Sequence, residues 1–133
     1  MARRLILDTT TLIAYQRGRF DTAALDEDDL AIAAVTVAEF RTGIELADTA
    51  QRAADRARVL AVITDTITVL DYTERTAAEH AKLLAHVRRA GQPRGAHDLI
   101  IAAHAVQEQR TILSLDANAR FADLPGVLAD SPR

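Results

Sequence analysis

The sequence predicts an α/β fold, a three-layer α/β/α sandwich around a parallel central sheet. Short apolar runs of strand length alternate with longer segments whose apolar residues recur every three or four positions. That alternation implies parallel strands covered by helices on both faces. Hydrophobic residues make up 49% of the chain, enough for a core. No stretch approaches the roughly 18 unbroken apolar residues of a membrane span. With 133 residues and no internal repeat, low-complexity tract or linker, the chain reads as one domain, 1–133.

The first strand is expected at Leu5–Leu7. It stops at Asp8, which is followed by Thr9, Thr10 and Thr11. Asp and Thr side chains accept the unpaired N–H groups of a helix start, so a helix over Thr11–Arg17 follows naturally. Leu30–Val35 reads as the second strand and Val37–Ala47 as the helix after it. Asp48–Ile63 is a further amphipathic helix, with Ala50, Ala53, Ala54, Ala57, Leu60 and Ala61 at helical spacing. The third strand is Ile67–Leu70. Thr73–Ala90 opens on a capping threonine with an early Glu74, and carries Ala77, Ala81, Leu84 and Val87 on one stripe. Gly91–Gly95 ("GQPRG") is the sharpest break. Ala96–Gln109 is apolar enough to be a buried helix. Thr111–Leu115 reads as the fourth strand and Val127–Leu128 as the last. The tail Asp130–Arg133 is expected to fray.

Composition narrows the function. There are no cysteines, which excludes disulfides and thiolate metal sites and agrees with a cytoplasmic location. The N-terminus, with Arg3, Arg4 and then Asp8 interrupting the apolar run, is not expected to act as a secretory signal. A net charge of −3 argues against general electrostatic binding to duplex nucleic acid. The five aromatic residues are too few and too scattered for a base-stacking platform. Of the 16 basic residues, 15 are arginine, a side chain whose planar fork suits phosphate.

Four acids stand out because they lie in apolar surroundings, where a carboxylate needs a partner. Asp8 ends the first strand, and Glu39 lies one helical turn beyond the second. Asp98 opens the buried helix "HDLIIAAHA", and Asp116 follows the strand "TILSL". In a parallel sheet, strand carboxyl ends and the helix starts after them share one edge, so topology sends all four acids there. Each also has a plain structural reading: a cap for Asp8, a surface acid for Glu39, a dipole-favoured first-turn acid for Asp98, a turn residue for Asp116.

Two like charges 4 Å apart cost about 4 kcal/mol at an effective dielectric of 20. A cluster of such acids must therefore take up protons or bind a cation, and an all-oxygen site matches Mg²⁺ or Mn²⁺. Zinc does not fit the histidines. His80 and His86 fall on different helix faces, and His97 and His104 could share a face but lack a third nitrogen ligand nearby. There is no GxGxxG or GxxxxGK[ST] phosphate loop. A dehalogenase-type phosphatase would need a second acid where Thr10 stands, and a response-regulator receiver would need an early acidic pair. Metal-assisted phosphodiester chemistry remains.

At this point a resemblance becomes specific. "LILDTTTLI", "TVAEFRTG", "HDLIIAAHA" and "SLDANARFADLPGV" resemble, in order and spacing, the four motifs of PIN-domain ribonucleases. The short chain and its closing "F..LPGV" are similar to the VapC toxins of bacterial toxin–antitoxin pairs. The resemblance implies a PIN fold, a Mg²⁺- or Mn²⁺-dependent endoribonuclease, an RNA substrate, a homodimer, and a VapB-like antitoxin that joins it in a heterotetramer or larger complex. It implies Asp8 and Asp98 as metal ligands, Glu39 and Asp116 as further ligands or the base, and Thr10 as a supporting hydroxyl. Asn118 competes with Asp116 for the fourth position. Arg88, Arg89 and Arg94, just ahead of Asp98, are candidates for RNA phosphates, and a solvated helix end accounts for them equally well. The non-catalytic alternative is a PIN-like RNA- or protein-binding module.

Overall fold

In the computed structural model, which describes residues 2–132, Leu5 and Leu7 face one side of a sheet and Ile6 the other. That alternation in strand β1 (Arg4–Leu7) is the period of two that a strand imposes. β1 is central and buried on both faces, so all three residues are apolar. It pairs in parallel with β2 (Asp29–Ala33) on one side, Ile6 opposite Ala31, and with β4 (Thr111–Leu113) on the other, Ile6 opposite Ile112. The edges are β3 (Thr68–Leu70) beside β2 and β5 (Ala129–Asp130) beside β4. The order is β3-β2-β1-β4-β5, and every pairing is parallel.

Helices cover both faces. α1 (Thr9–Gln16), α2 (Ala34–Glu45) and α3 (Ala50–Thr66) lie on the Leu7 side, where Leu7, Leu12, Ile32, Ile63 and Ile67 form one cluster. α4 (Glu74–Ala90) and α5 (Ala96–Glu108) lie on the Ile6 side, where Ile6, Leu83, Leu99, Ile101 and Phe121 form the other. The expected three layers and parallel sheet are therefore observed. Short 3-10 turns at Thr22–Leu25, Ala117–Ala119 and Phe121–Asp123 fill connections.

Some boundaries differ from the sequence reading. The second strand ends at Ala33, and Val35 already belongs to α2. "LAIAAV" is apolar across that junction, and Ala33 caps α2 without a side-chain hydrogen bond, so no residue punctuates it. The last strand is Ala129–Asp130 rather than Val127–Leu128. Val127 is still in a turn, its N–H donating to Leu124 O behind Gly126 at φ +75°. Asp130, assigned from sequence to a frayed tail, pairs with Leu113, and its carbonyl accepts from Ser114 N. Arg133 lies outside the described residues.

Candidate active site

The chain leaves β1 for β2 and β3 and then returns to β4 on the other side of β1. The connections therefore diverge between β1 and β4, and open α/β sheets bind ligands outside the strand carboxyl ends at such a point. Asp8 follows β1 and Asp116 follows β4, so the topology sets these two acids side by side.

Asp8 is the cap that its sequence context suggests, with extended backbone and Oδ1 accepting from Thr11 N at 3.0 Å. It is also only 3% exposed, and its second oxygen accepts from Ser114 Oγ at 2.6 Å. Capping alone does not require burial at a sheet edge. Ser114 Oγ in turn accepts from Asp116 N at 3.0 Å, so one hydroxyl ties together the chain segments that carry two acids. Asp116 is exposed and caps the turn Ala117–Ala119 through Asn118 N at 3.0 Å.

Glu39 sits in α2 and is one-third exposed at its side chain. Its Oε1 accepts from Thr9 Oγ1 at 3.0 Å and from His97 Nδ1 at 3.0 Å. Asp98 is in the first turn of α5 and half-buried, and none of the hydrogen bonds among the described residues reaches its carboxylate. Room for that carboxylate comes from Gly95: a Cβ there would lie 3.1 Å from Asp98 Oδ2. Burial pushes the Asp98 carboxyl above its ordinary range, and the charges of Asp8, Asp116 and Glu39 push it further the same way, against an opposing effect of His97. Four acids from four segments thus act on one another electrostatically.

Among the described residues, no three acidic or histidine side chains stand close enough together to form a finished metal shell. The acids share an edge and a field. The donors nevertheless fit a hard divalent cation. They are all carboxylate oxygens, and the half-buried Asp98 faces three like charges with no protein donor among the described residues.

The other sequence candidates fare differently. Thr10 is exposed, and no side-chain hydrogen bond among the described residues ties it to an acid. The hydroxyls that do reach the acids are those of Thr9 and Ser114, while Thr11 Oγ1 accepts from Leu115 N at 3.0 Å and so holds the loop before Asp116. Arg88 and Arg89 lie exposed in the last turn of α4. Arg94 is occupied: its guanidinium donates to the carbonyls of Ala119 at 2.5 Å and Arg120 at 2.8 Å, pinning the segment after Asp116. Sequence reasoning missed Ser114 and the link from His97 to Glu39. A hydroxyl at a strand's carboxyl end, two residues before an acid, was the available signal for Ser114. His97 had none beyond its place beside Asp98.

The PIN domain family matches residues 5–127. Ribonuclease VapC5 of Mycobacterium tuberculosis is 34% identical over 121 residues, which cover 91% of this chain and 87% of that protein. The solved VapBC-5 toxin–antitoxin structure from the same organism superposes with a TM-score of 0.76 at 29% identity, covering 98% of each chain. VapBC2 of Rickettsia felis, solved bound to a promoter DNA fragment, shares the fold with a TM-score of 0.84 at 17% identity, covering 98% of this chain and 99% of that one.

Proposed function

This chain belongs to the PIN-domain family, and from that premise we propose that it is a VapC-type endoribonuclease toxin. We take the whole chain, 1–133, as one such domain, acting in the cytoplasm on RNA. Asp8, Glu39, Asp98 and Asp116 are its catalytic acids, with Mg²⁺ or Mn²⁺ as cofactor. The observation that carries this reading is the Asp98 carboxylate, half-buried in the first turn of α5 among the charges of Asp8, Glu39 and Asp116, with no hydrogen bond among the described residues reaching it. A carboxylate kept among like charges without a protein donor suits a cation better than it suits a helix cap.

When bound, a divalent cation offsets the repulsion between the acids and stabilises charge on the phosphodiester oxygens. The chain's own residues do the rest. Asp8 is fixed by two hydrogen bonds and shielded from bulk water, so it is a rigid ligand. Asp98, which no hydrogen bond among the described residues anchors, is the second ligand. Among the described residues, Glu39 is held through one oxygen, Oε1. Asp116, the acid open to solvent, is best placed to take a proton from the attacking water. Arg88 and Arg89 offer charge to RNA phosphates, whereas Arg94 serves the loop after Asp116.

The antitoxin reading has its own support. A groove of about 570 Å³ runs from Thr9 and Glu39 past Ile13, Phe40 and Gly43 to Val59. An apolar segment of a VapB-like partner laid there would end against Glu39, closing the site. Leu46, Val59 and Val62 expose further apolar surface around α2 and α3, which a homodimer or a heterotetramer with antitoxin would cover. No helix among the described residues is long and apolar enough to cross a membrane.

The alternative is a non-catalytic PIN-like RNA- or protein-binding module. Incubating the purified chain, free of antitoxin, with RNA in Mg²⁺, Mn²⁺ or EDTA separates the readings. Cleavage with either ion that stops in EDTA is expected. Cleavage that survives EDTA would overturn the metal mechanism, and no cleavage in any condition would favour the binding module.

A further inference from the structure

We propose that His97 is a positioning residue, holding Glu39 by one carboxylate oxygen together with Thr9 so that the other oxygen is left for the cation; this rests on the metal-dependent reading above. The geometry is specific. Both donors meet Oε1, Thr9 Oγ1 at 3.0 Å and His97 Nδ1 at 3.0 Å, and no hydrogen bond among the described residues reaches Oε2. A carboxylate oxygen can only accept, so the ring nitrogen facing it carries the proton. The same Thr9 hydroxyl contacts Thr36 Oγ1 at 3.3 Å, and Thr36 is fully buried in α2, so the network is anchored in the core.

The donors come from two elements. Thr9 begins α1 beside Asp8, and His97 lies in the first turn of α5 beside Asp98. Each residue that holds Glu39 is thus the chain neighbour of another acid, and the three carboxylates are set relative to one another through covalent neighbours. Glutamate is the longest of these side chains and the freest to wander, so it gains most from being held at two points. A plain surface ion pair is the competing reading, since the His97 side chain is 53% exposed. Exposed pairs contribute little to stability. The two readings therefore part at the metal site, not in the melting temperature.

Groups that orient metal ligands typically affect metal affinity by about 10- to 100-fold. The test is Mn²⁺ binding to the full chain, read by the electron paramagnetic resonance of free Mn²⁺, with RNA cleavage kinetics in parallel. His97→Ala should weaken Mn²⁺ binding about tenfold and lower kcat with little change in KM, while melting in EDTA stays as in the wild type. His97→Asn keeps an amide donor near the Nδ1 position and should recover most of both losses. In a Glu39→Ala background, His97→Ala should have no further effect on Mn²⁺ affinity. Wild-type affinity and kcat in His97→Ala would overturn the inference, as would His97→Asn no better than alanine, or additive losses in the double variant. A wild type that neither binds Mn²⁺ nor cleaves RNA would overturn the metal reading itself and this inference with it. An active wild type beside an unaffected His97→Ala would overturn the inference alone.

Discussion

Ser114 donates to Asp8 across the β1–β4 junction, and without it a carboxylate that is 3% exposed loses one of its two partners. Hydrogen bonds to charged groups are worth about 1.5–3 kcal/mol. Ser114→Ala should therefore lower stability in EDTA by about that amount, and Ser114→Thr should be spared, as measured by chemical denaturation. Gly95 makes a different case. Its φ of −59° suits any residue, so Gly95→Ala should melt much as the wild type does, but the new Cβ meets Asp98 Oδ2 at 3.1 Å. Pushing that carboxylate aside should cost cleavage about tenfold, since misplacing a reacting group by 1 Å can cost about 100-fold. The run of three threonines after Asp8 was legible as a turn, a cap and a supporting hydroxyl, with Thr10 expected in the last role. Thr9 reaches Glu39, Thr11 holds the loop at Leu115, and Thr10 faces solvent. Side chains one residue apart on a helix start differ by about 100° in direction, and only the packed neighbours decide which of them meets an acid.

At the scale of elements, α5 carries both the site and a second titrating group. His104 is 1% exposed, and neither ring nitrogen finds a protein partner among the described residues; the ring packs edge-on against Tyr72, whose hydroxyl pairs with His80 Nδ1 at 2.8 Å. Burial lowers the His104 pKa from 6.5, with Glu108 and Asp71 opposing and His80 adding to the shift. Burial lowers His80 as well. Both groups bind a proton less readily in the fold than in the unfolded chain, which takes up protons near pH 6.5. Stability from this source is therefore complete above about pH 6.5 and is lost as pH falls toward the lowered folded values. His104→Leu should flatten the fall in melting temperature between pH 7 and pH 5, leaving the part due to His80; an unchanged slope would contradict it. Elements long and periodic enough, such as α4 and α5, were legible in the sequence. The β2–α2 junction and β5 were not. An apolar run buried on both sides of a boundary carries no period to mark it, and the two-residue β5 is set by its pairing with β4 rather than by its own composition.

For the whole molecule, the alternation of strands and helices was enough to bring Asp8, Glu39, Asp98 and Asp116 to one edge, because parallel strands share a carboxyl end. The approach of one acid to another was not legible, since it depends on hydroxyls and a histidine that sequence spacing does not rank. The exposed apolar residues Leu46, Val59 and Val62 lead to an expected dimer mass by light scattering at micromolar concentration; a monomer mass would remove the dimer and leave the enzyme untouched. Asp98 is the residue at which one cation site formed by the four acids can be tested against a helix cap. Its raised pKa means that the folded state favours the protonated form. That contribution is present below pH 3.8 and is lost as pH rises through the folded value, so the charge is a penalty at neutral pH without metal. Asp98→Asn removes the charge and keeps the shape. The measurement is thermal melting at neutral pH, in EDTA and in Mn²⁺, for the wild type and Asp98→Asn. The variant is expected to melt at the same temperature or higher in EDTA, and Mn²⁺ is expected to raise the melting temperature of the wild type but hardly that of the variant, because only a ligand bound to the folded state stabilises it. Equal Mn²⁺ stabilisation of both proteins, or of neither, would contradict the four-acid site.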